Sequence, residues 1–256
     1  MNPTDIEFAD VNWNFETGCD TGCAFCYARK FAFRLKGRYG YPRDEPFRCT
    51  LHTNKMNDPI KTNRSKKIFV DSMGDLFCKA MTKKKRKEWI MSMFHVIYEA
   101  NGIDNYHQYQ ILTKTPQFIP SILSPKVTIP ENIWMGVSMT RPGDLWRWVE
   151  LKRVMNEYPG DPLLWVIFEP LHAEMGLVKD GKLTSMGMEF NMVDWIVVGA
   201  ETGNRRGKIE PEKDWLIDIE DFCDITDTPL FMKDNLGCYT IPEDFLRQQY
   251  PEGVEV

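Results

Sequence analysis

Short apolar runs alternate along the chain with longer segments in which apolar and polar residues are mixed. Seven of the runs are rich in β-branched or aromatic residues and apolar on both faces, which is typical of buried parallel strands. They predict strands at residues 11–15, 68–71, 109–112, 133–137, 163–168, 195–198 and 229–232. The mixed segments predict helices at residues 23–35, 83–100, 143–158 and 212–223, the second with Thr82 as its N-cap.

This alternation of strands and helices indicates an α/β fold with a parallel sheet. About six or seven strands in 256 residues fit a partial TIM-type (β/α) barrel, formed by a single domain over residues 1–256. Residues 37–67 contain three prolines and little periodicity, so they are predicted to be an insertion that serves as a lid. Residues 239–256 are predicted to be a short C-terminal extension.

Six of the predicted strands end in polar or charged residues. Because the carboxyl ends of parallel strands converge on one face of a barrel, the set predicts a polar ligand site there. At any single strand the alternative is structural, since a strand must exit to solvent. The residues concerned are Asp71, Ser72, Asp75, Lys114, Ser138, Arg141, Glu169, His172, Glu201, Arg205, Arg206, Lys233 and Asp234.

Composition narrows the class of protein. A formal net charge of −5 argues against coating nucleic acid through bulk positive charge, although a local basic patch remains compatible with it. The first residues lack the pattern of a signal peptide, and no run of about 18 apolar residues occurs, so we expect a cytoplasmic protein without a membrane partner. Seven cysteines, three of them within eight residues, indicate metal chemistry and not a disulfide framework.

The three clustered cysteines are Cys19, Cys23 and Cys26, spaced C-x3-C-x2-C directly after the first predicted strand. Gly18 and Gly22 allow the loop to fold tightly around inward-pointing thiols. Thiolates are soft ligands that select iron–sulfur clusters or zinc, and closed sites of either kind take four ligands. Three thiolates therefore predict a metal position that is open to an exchangeable ligand.

The motif, with the aromatic Phe25 before its last cysteine, closely resembles that of the radical S-adenosylmethionine superfamily. From about residue 8 to about residue 237 the chain resembles, more narrowly, an uncharacterised phage-associated family within that superfamily. The shared elements are residues 11–14 (VNWN), 17–19 (TGC), 26–28 (CYA), 71–77 (DSMGDLF), 112–114 (LTK), 134–138 (WMGVS), 168–171 (FEPL) and 198–203 (VGAETG).

The resemblance implies a [4Fe–4S] cluster on Cys19, Cys23 and Cys26 that reductively cleaves S-adenosylmethionine to methionine and a 5′-deoxyadenosyl radical. It also implies an electron donor such as flavodoxin or ferredoxin, and a location in the host cytoplasm for a phage-encoded protein. The implied cofactor-binding residues are Phe25, Ser72, Asp75, Lys114, Ser138, Glu169, Val198, Gly199 and Glu201.

Individual roles follow from the same resemblance. Ser72 and Asp75 lie where the superfamily holds the methionine amino group, although a Gly-Gly-Glu-like stretch is usual there and SMGD stands here. Lys114 is expected to pair with the methionine carboxylate, and Ser138 to contact the ribose or carboxylate. Glu169 is expected at the ribose or the substrate, and the backbone at residues 198–200 at the adenine.

The contrasting hypothesis is a non-catalytic module with a structural zinc or a closed iron–sulfur cluster, which docks nucleic acid or a partner protein. In that case Cys49 or Cys78 supplies the fourth ligand, with His52 nearby in the insertion. Cys223 is predicted to lie in the core. Cys238, near the seventh strand end, is either a small structural residue or part of the site.

The substrate prediction rests on the distribution of positive charge. A basic run at residues 79–87 (KAMTKKKRK) and the pair Arg205 and Arg206 favour a nucleotide or nucleic-acid base that is modified or repaired. The alternative interpretation of the basic run is structural, namely the solvent-exposed first turn of a helix. Cations there oppose the helix dipole, however, which makes an anionic partner plausible.

Overall fold

The computed structural model describes residues 1–102, 106–236 and 246–253. The strands are β1 Asn2–Pro3, β2 Val11–Trp13, β3 Glu16–Thr17, β4 Thr50–Leu51, β5 Lys67–Val70, β6 Gln108–Thr113, β7 Ile133–Met139, β8 Leu163–Phe168, β9 Val178–Lys179, β10 Lys182–Leu183, β11 Trp195–Val198 and β12 Leu230–Met232. The helices are α1 Tyr27–Arg34, α2 Lys83–Asn101, α3 Ile119–Ile122, α4 Leu145–Met155, α5 Ser185–Glu189 and α6 Lys213–Thr226. Cys238 and much of the predicted C-terminal extension lie outside the described residues.

The α/β class is confirmed. The main sheet has eight strands in the order β1-β2-β5-β6-β7-β8-β11-β12, which follows the order of the chain. β1 pairs with β2 antiparallel, whereas β2 with β5, β5 with β6, β8 with β11 and β11 with β12 pair in parallel. Among the described residues β1 and β12 stand at the two ends of this order, so a closed barrel is not seen.

All seven predicted strands are present, but two helices begin later than predicted. α1 starts at Tyr27 and not at residue 23, because Gly22 takes a φ of +74° and the cysteines occupy the loop before the helix. α4 starts at Leu145, after a 3-10 turn at Pro142–Asp144. α2 matches its prediction, with the Thr82 hydroxyl accepting a hydrogen bond from the Lys85 N–H at 3.4 Å.

The chain forms two compact units. The first comprises Met1–Met135 and Val154–Pro162. Its core contains the buried face of α2, where apolar residues recur at helical spacing, and the buried residues of β5 and β6. The side chain of Trp13 at the end of β2 is fully buried and donates to the Lys55 carbonyl at 2.9 Å, which ties the predicted insertion to the sheet.

The insertion at residues 37–67 is more structured than its composition predicts. It contains β4, which pairs antiparallel with β3, and two 3-10 turns at Thr53–Lys55 and Pro59–Lys61. Since β3 leads directly into the cysteine loop, this pairing carries Cys49 to that loop.

The second unit comprises Gly136–Arg153 and Leu163–Val256. Its core is strongly aromatic: the rings of Trp165 and Trp195 lie 5.3 Å apart on neighbouring strands β8 and β11. Gly136 on β7 is required by this packing, because a Cβ there would lie 2.5 Å from the Trp165 ring. In neither unit is any described helix long and apolar enough to cross a membrane.

Candidate metal centre

The cysteine loop of the first unit, residues 18–26, joins β3 to α1. Gly18 adopts a φ of +99°, and a Cβ at this position would lie 2.5 Å from the Arg48 backbone. Only glycine fits this close approach. Cys26 is the N-cap of α1, and its sulfur accepts a hydrogen bond from the Arg29 N–H at 3.3 Å. The fold thus sets one predicted ligand at each end of a short, tightly turned loop.

The segment after β5 lies against the cysteine loop. Gly18 forms a bridge with Gly74, and its N–H donates to the Met73 carbonyl at 2.9 Å. The Tyr27 hydroxyl donates to the Ser72 carbonyl at 2.5 Å, beside the last cysteine. These contacts hold residues 72–74 against the cysteine loop.

Asp75 has a structural role within this segment. Its carboxylate accepts hydrogen bonds from the Thr113 hydroxyl at 2.7 Å and from the Lys114 and Phe77 N–H groups at 2.9 and 3.1 Å. These bonds join the end of β5 to the end of β6. Asp75, predicted to hold a methionine amino group, is thereby occupied with fixing the loop, and Lys114 meets it through its backbone.

Two further cysteines join the site. The Cys49 and Cys78 sulfurs lie 3.6 Å apart, and the Cys49 thiol donates to the Gly18 carbonyl at 3.2 Å. Cys19, Asp20 and Cys78 bring their ligand atoms within 4.8 Å of one another, as do Glu16, Cys49 and Cys78. A hydrogen bond with Cys78, together with burial, raises the pKa of the Cys19 thiol, so metal binding there must displace a proton.

A buried ion pair lies beside these thiols. Arg86 and Glu16 are 1% and 0% exposed, and both Glu16 oxygens accept from Arg86 Nη1 at 2.5 Å. The other terminal nitrogen of Arg86 donates to Cys78 at 3.2 Å and to Cys49 at 3.7 Å. Burial raises the pKa of Glu16 to about 7 against the opposing pull of Arg86. The Arg86 charge is thereby shared between one carboxylate and two sulfurs.

Asp71 is the least satisfied polar group of the site. It is buried at the end of β5 with a φ of +57°, and neither carboxylate oxygen has a hydrogen-bond partner among the described residues. Burial and the nearby Glu16 carboxylate raise its pKa well above the ordinary value. Gly74 leaves room for it, since a Cβ there would lie 2.5 Å from Asp71 Oδ2. A buried carboxyl group without a hydrogen-bond partner is rare in folded proteins and calls for an explanation at this position.

Predicted site residues of the second unit lie at strand ends and are held by neighbours of that unit. The Ser138 hydroxyl donates to the Glu169 carbonyl at 3.3 Å. Glu169 accepts from Lys233 Nζ at 2.6 Å. Gly199 is packed between these two side chains, because a Cβ there would lie 2.9 Å from Lys233 and 3.0 Å from Glu169. Val198, on β11, accepts from the Lys233 N–H at 3.0 Å.

A second group of charges surrounds Glu201 in the same unit. Its carboxylate takes two hydrogen bonds from Arg205, at 2.6 and 2.8 Å, and lies 3.2 Å from the His172 Nε2. These contacts, the Arg205 bonds first, lower the pKa of Glu201. Glu201 and Arg205 accordingly neutralise each other in an ion pair.

A family model described as "Protein of unknown function (DUF5131)" matches residues 3–249. The chain belongs to the DUF5131 family. No curated protein and no solved structure matches it.

Of the predicted site residues of this DUF5131 chain, the first unit contains Cys19, Cys23, Cys26, Phe25, Ser72, Asp75 and Lys114, and the second contains Ser138, Glu169, Val198, Gly199 and Glu201. Sequence reasoning missed Glu16 and the burial of Arg86, and it gave Asp71 only as one of the polar residues at strand ends. It placed Arg86 in the basic run, because nothing in that run marks a partner 70 residues away. His52, weighed as a metal ligand, instead bonds the Thr17 hydroxyl at 2.9 Å. Cys223 is buried in α6, as predicted.

Proposed function

We propose that this protein is a radical S-adenosylmethionine enzyme whose [4Fe–4S] cluster is held by Cys19, Cys23 and Cys26. The observation that carries the proposal is the cysteine loop, with three thiols on eight residues and its backbone bridged to the end of β5. The donor set fits the group, because three thiolates hold a cubane and leave one iron for an exchangeable ligand. The strand order of the main sheet supports a partial barrel as scaffold.

When bound, the cluster supplies the electron that cleaves S-adenosylmethionine to methionine and a 5′-deoxyadenosyl radical. The residues of this chain bind and orient the cofactor and neutralise charge around the cluster. Asp71 is the carboxylate we assign to the amino group of the cofactor, in place of Asp75, because its oxygens have no partner among the described residues. Arg86 donates to the Cys78 sulfur, which lies near Cys19, and its charge would offset part of the negative charge of a thiolate-ligated cluster.

The reaction requires a one-electron donor such as flavodoxin or ferredoxin. For the substrate we propose a nucleotide or nucleic-acid base. The exposed lysines of the basic run support this class of substrate. Arg205 supports it less, because its guanidinium already binds Glu201.

The test is anaerobic reconstitution with iron and sulfide, followed by reduction with dithionite in the presence of S-adenosylmethionine. We expect about four irons per chain and formation of 5′-deoxyadenosine. Stoichiometric zinc without any adenosine product would overturn the proposal. The matched control is the Cys23→Ala variant, which removes one ligand and leaves the Cys49–Cys78 pair intact.

One observation favours a second candidate, a closed zinc or iron–sulfur site in a non-catalytic docking module. The Cys78 sulfur lies close enough to both Cys19 and Cys49 to share a metal ion with them. Against it stands Arg86, which already donates to both added sulfurs, so that a metal ion bound by them would have to displace these hydrogen bonds. The double variant Cys49→Ala, Cys78→Ala separates the candidates: the open cluster keeps its iron, whereas the closed site loses its metal.

A further inference from the structure

Residues 27–43, α1 and the turn that follows it, form a surface that we call the α1 surface. It contains six basic residues, Arg29, Lys30, Arg34, Lys36, Arg38 and Arg43, and no acidic residue. The whole chain has a formal net charge of −5, so the rest of it is more acidic still. The positive charge is therefore concentrated locally, and an anionic partner would be drawn to this surface.

Large aromatic side chains lie exposed among these cations. Tyr27, Phe31, Phe33 and Tyr39 are 52%, 44%, 55% and 77% exposed. The helix is held to the protein by its small residues, since Ala28 and Ala32 pack against Tyr41 and Phe47. The rings of Phe31 and Phe33 consequently contribute little to the core and lie exposed on this surface.

Among the residues that the structure describes, acidic side chains do not neutralise these cations. None of the six forms a salt bridge with another residue that the structure describes. The Arg34 guanidinium lies 4.5 Å from the centre of the Phe31 ring, which sets a planar cation over an exposed aromatic face. The α1 surface thus presents positive charge and an aromatic ring for stacking side by side.

The surface is also well ordered. The Tyr27 hydroxyl is bonded to the Ser72 carbonyl, which fixes its ring. After the helix, Arg38 N–H donates to Leu35 at 2.8 Å, Gly37 N–H to Tyr41 at 2.9 Å and Tyr41 N–H to Arg38 at 3.0 Å. A fixed platform loses little conformational entropy when a flexible ligand binds to it.

Two classes of anionic partner come into question, a membrane and a nucleic acid. A helix that lies on a membrane separates an apolar face from a cationic face. On α1 the two kinds of side chain share faces: Tyr27, Phe31 and Arg34 follow one another at helical spacing, and Phe33 lies one turn after Arg29 on another face. Cations interleaved with aromatic rings are instead typical of proteins that hold single strands, with phosphates on the cations and bases on the rings.

We propose that the α1 surface binds an unpaired nucleic-acid strand. Cys26, the N-cap of α1, places this strand next to the cysteine loop. That the bound strand is also the substrate of the enzyme rests on the proposed function. That the α1 surface binds a nucleic-acid strand does not.

The test measures fluorescence anisotropy of labelled oligo(dT) and oligo(U), each of about 15 nucleotides, with the full-length chain across a range of salt concentrations. In one variant Lys30→Gln, Arg34→Gln and Lys36→Gln remove charge; in another Phe31→Ala, Phe33→Ala and Tyr39→Ala remove rings. The matched control is Lys126→Gln, Lys179→Gln, Lys182→Gln, three exposed lysines elsewhere. A fourth protein carries Lys83→Gln, Lys84→Gln and Lys87→Gln in the basic run of α2.

We expect the charge variant to bind at least tenfold more weakly and to lower the slope of log K against log salt by about two. The ring variant should lose about tenfold or more without a change in slope, and the control should stay within about twofold of the parent. Unchanged binding by both α1 variants, loss only in the α2 variant, or tighter binding to anionic vesicles than to either oligonucleotide would overturn the proposal. Formation of 5′-deoxyadenosine without oligonucleotide, measured on the same proteins, reports separately on the cluster.

Discussion

The carboxyl ends of the strands differ between the two units. In the second unit Glu169 is paired with Lys233, and Glu201 with Arg205 and His172. In the first unit the corresponding ends carry thiols and the buried carboxylate of Asp71, which accepts no hydrogen bond from any described residue. A set of charges satisfied by its own unit is explained by folding alone. A buried group without a partner costs stability, so the first unit holds the better claim to an external ligand.

The sharpest test of this difference exchanges one thiol in each unit. Cys23→Ala removes a ligand from the cysteine loop, and we expect it to abolish both iron retention and formation of 5′-deoxyadenosine. Cys223→Ala removes a buried thiol of α6 and should keep its iron. Iron and sulfide analysis after reconstitution decides the matter, and equal iron in the two variants would contradict the assignment.

The buried ion pair of the first unit should show the next largest effect. Arg86→Met leaves the Glu16 carboxylate buried without its partner, and we expect a loss of about 3–5 kcal/mol in the free energy of unfolding. Urea denaturation of the metal-free chain provides the measurement. Adding Glu16→Gln should restore part of the loss; a double variant as unstable as the sum of the singles would show that the two residues do not interact.

The matching change in the second unit should cost less. Lys233→Met removes the partner of Glu169, whose side chain is 22% exposed and retains access to water. We therefore expect a loss of about 1–2 kcal/mol. If Lys233→Met were as damaging as Arg86→Met in the same urea titration, the contrast between the two units would fail.

The smallest expected effect is a gain in the free energy of unfolding, produced by a substitution at Asp71. The raised pKa of Asp71 means that the folded chain binds this proton more tightly than the unfolded chain, so the stabilisation is complete below the ordinary pKa of 3.8 and disappears as pH rises through the folded pKa. The Asp71→Asn variant keeps a residue type that tolerates positive φ and removes the charge. At pH 8 it should be more stable than the parent by about 1 kcal/mol.

Thermal unfolding at pH 5 and pH 8 tests this prediction. The parent should lose stability between the two values more steeply than the variant, although Glu16, whose pKa is also raised, keeps part of the slope. Identical slopes would show that the Asp71 carboxylate is not held in a raised-pKa environment. Weaker binding of S-adenosylmethionine by the same variant would accompany its gain in stability.

The sequence predicts the alternating strands and helices well, because each depends on local periodicity and caps. The Thr82 cap of α2 and the two strands 163–168 and 195–198 illustrate this. It predicts the cysteine loop for the same reason, since its three cysteines are neighbours in the sequence. It does not predict Arg86 with Glu16, or Cys49 with Cys78, because these contacts join residues 70 and 29 positions apart. In the sequence, Asp71 is distinguished only by its position at the end of one of the six strands that end in polar residues.

The open iron is the central claim, and electron paramagnetic resonance of the dithionite-reduced, reconstituted chain tests it most directly. Spectra are recorded with and without S-adenosylmethionine, for the parent and for the variant Cys49→Ala, Cys78→Ala. We predict a reduced [4Fe–4S] signal whose g values shift when the cofactor is added, in both proteins. A signal that the cofactor leaves unchanged, or one that disappears in the double variant, would contradict the account, because it would show that all four irons are already held by cysteines.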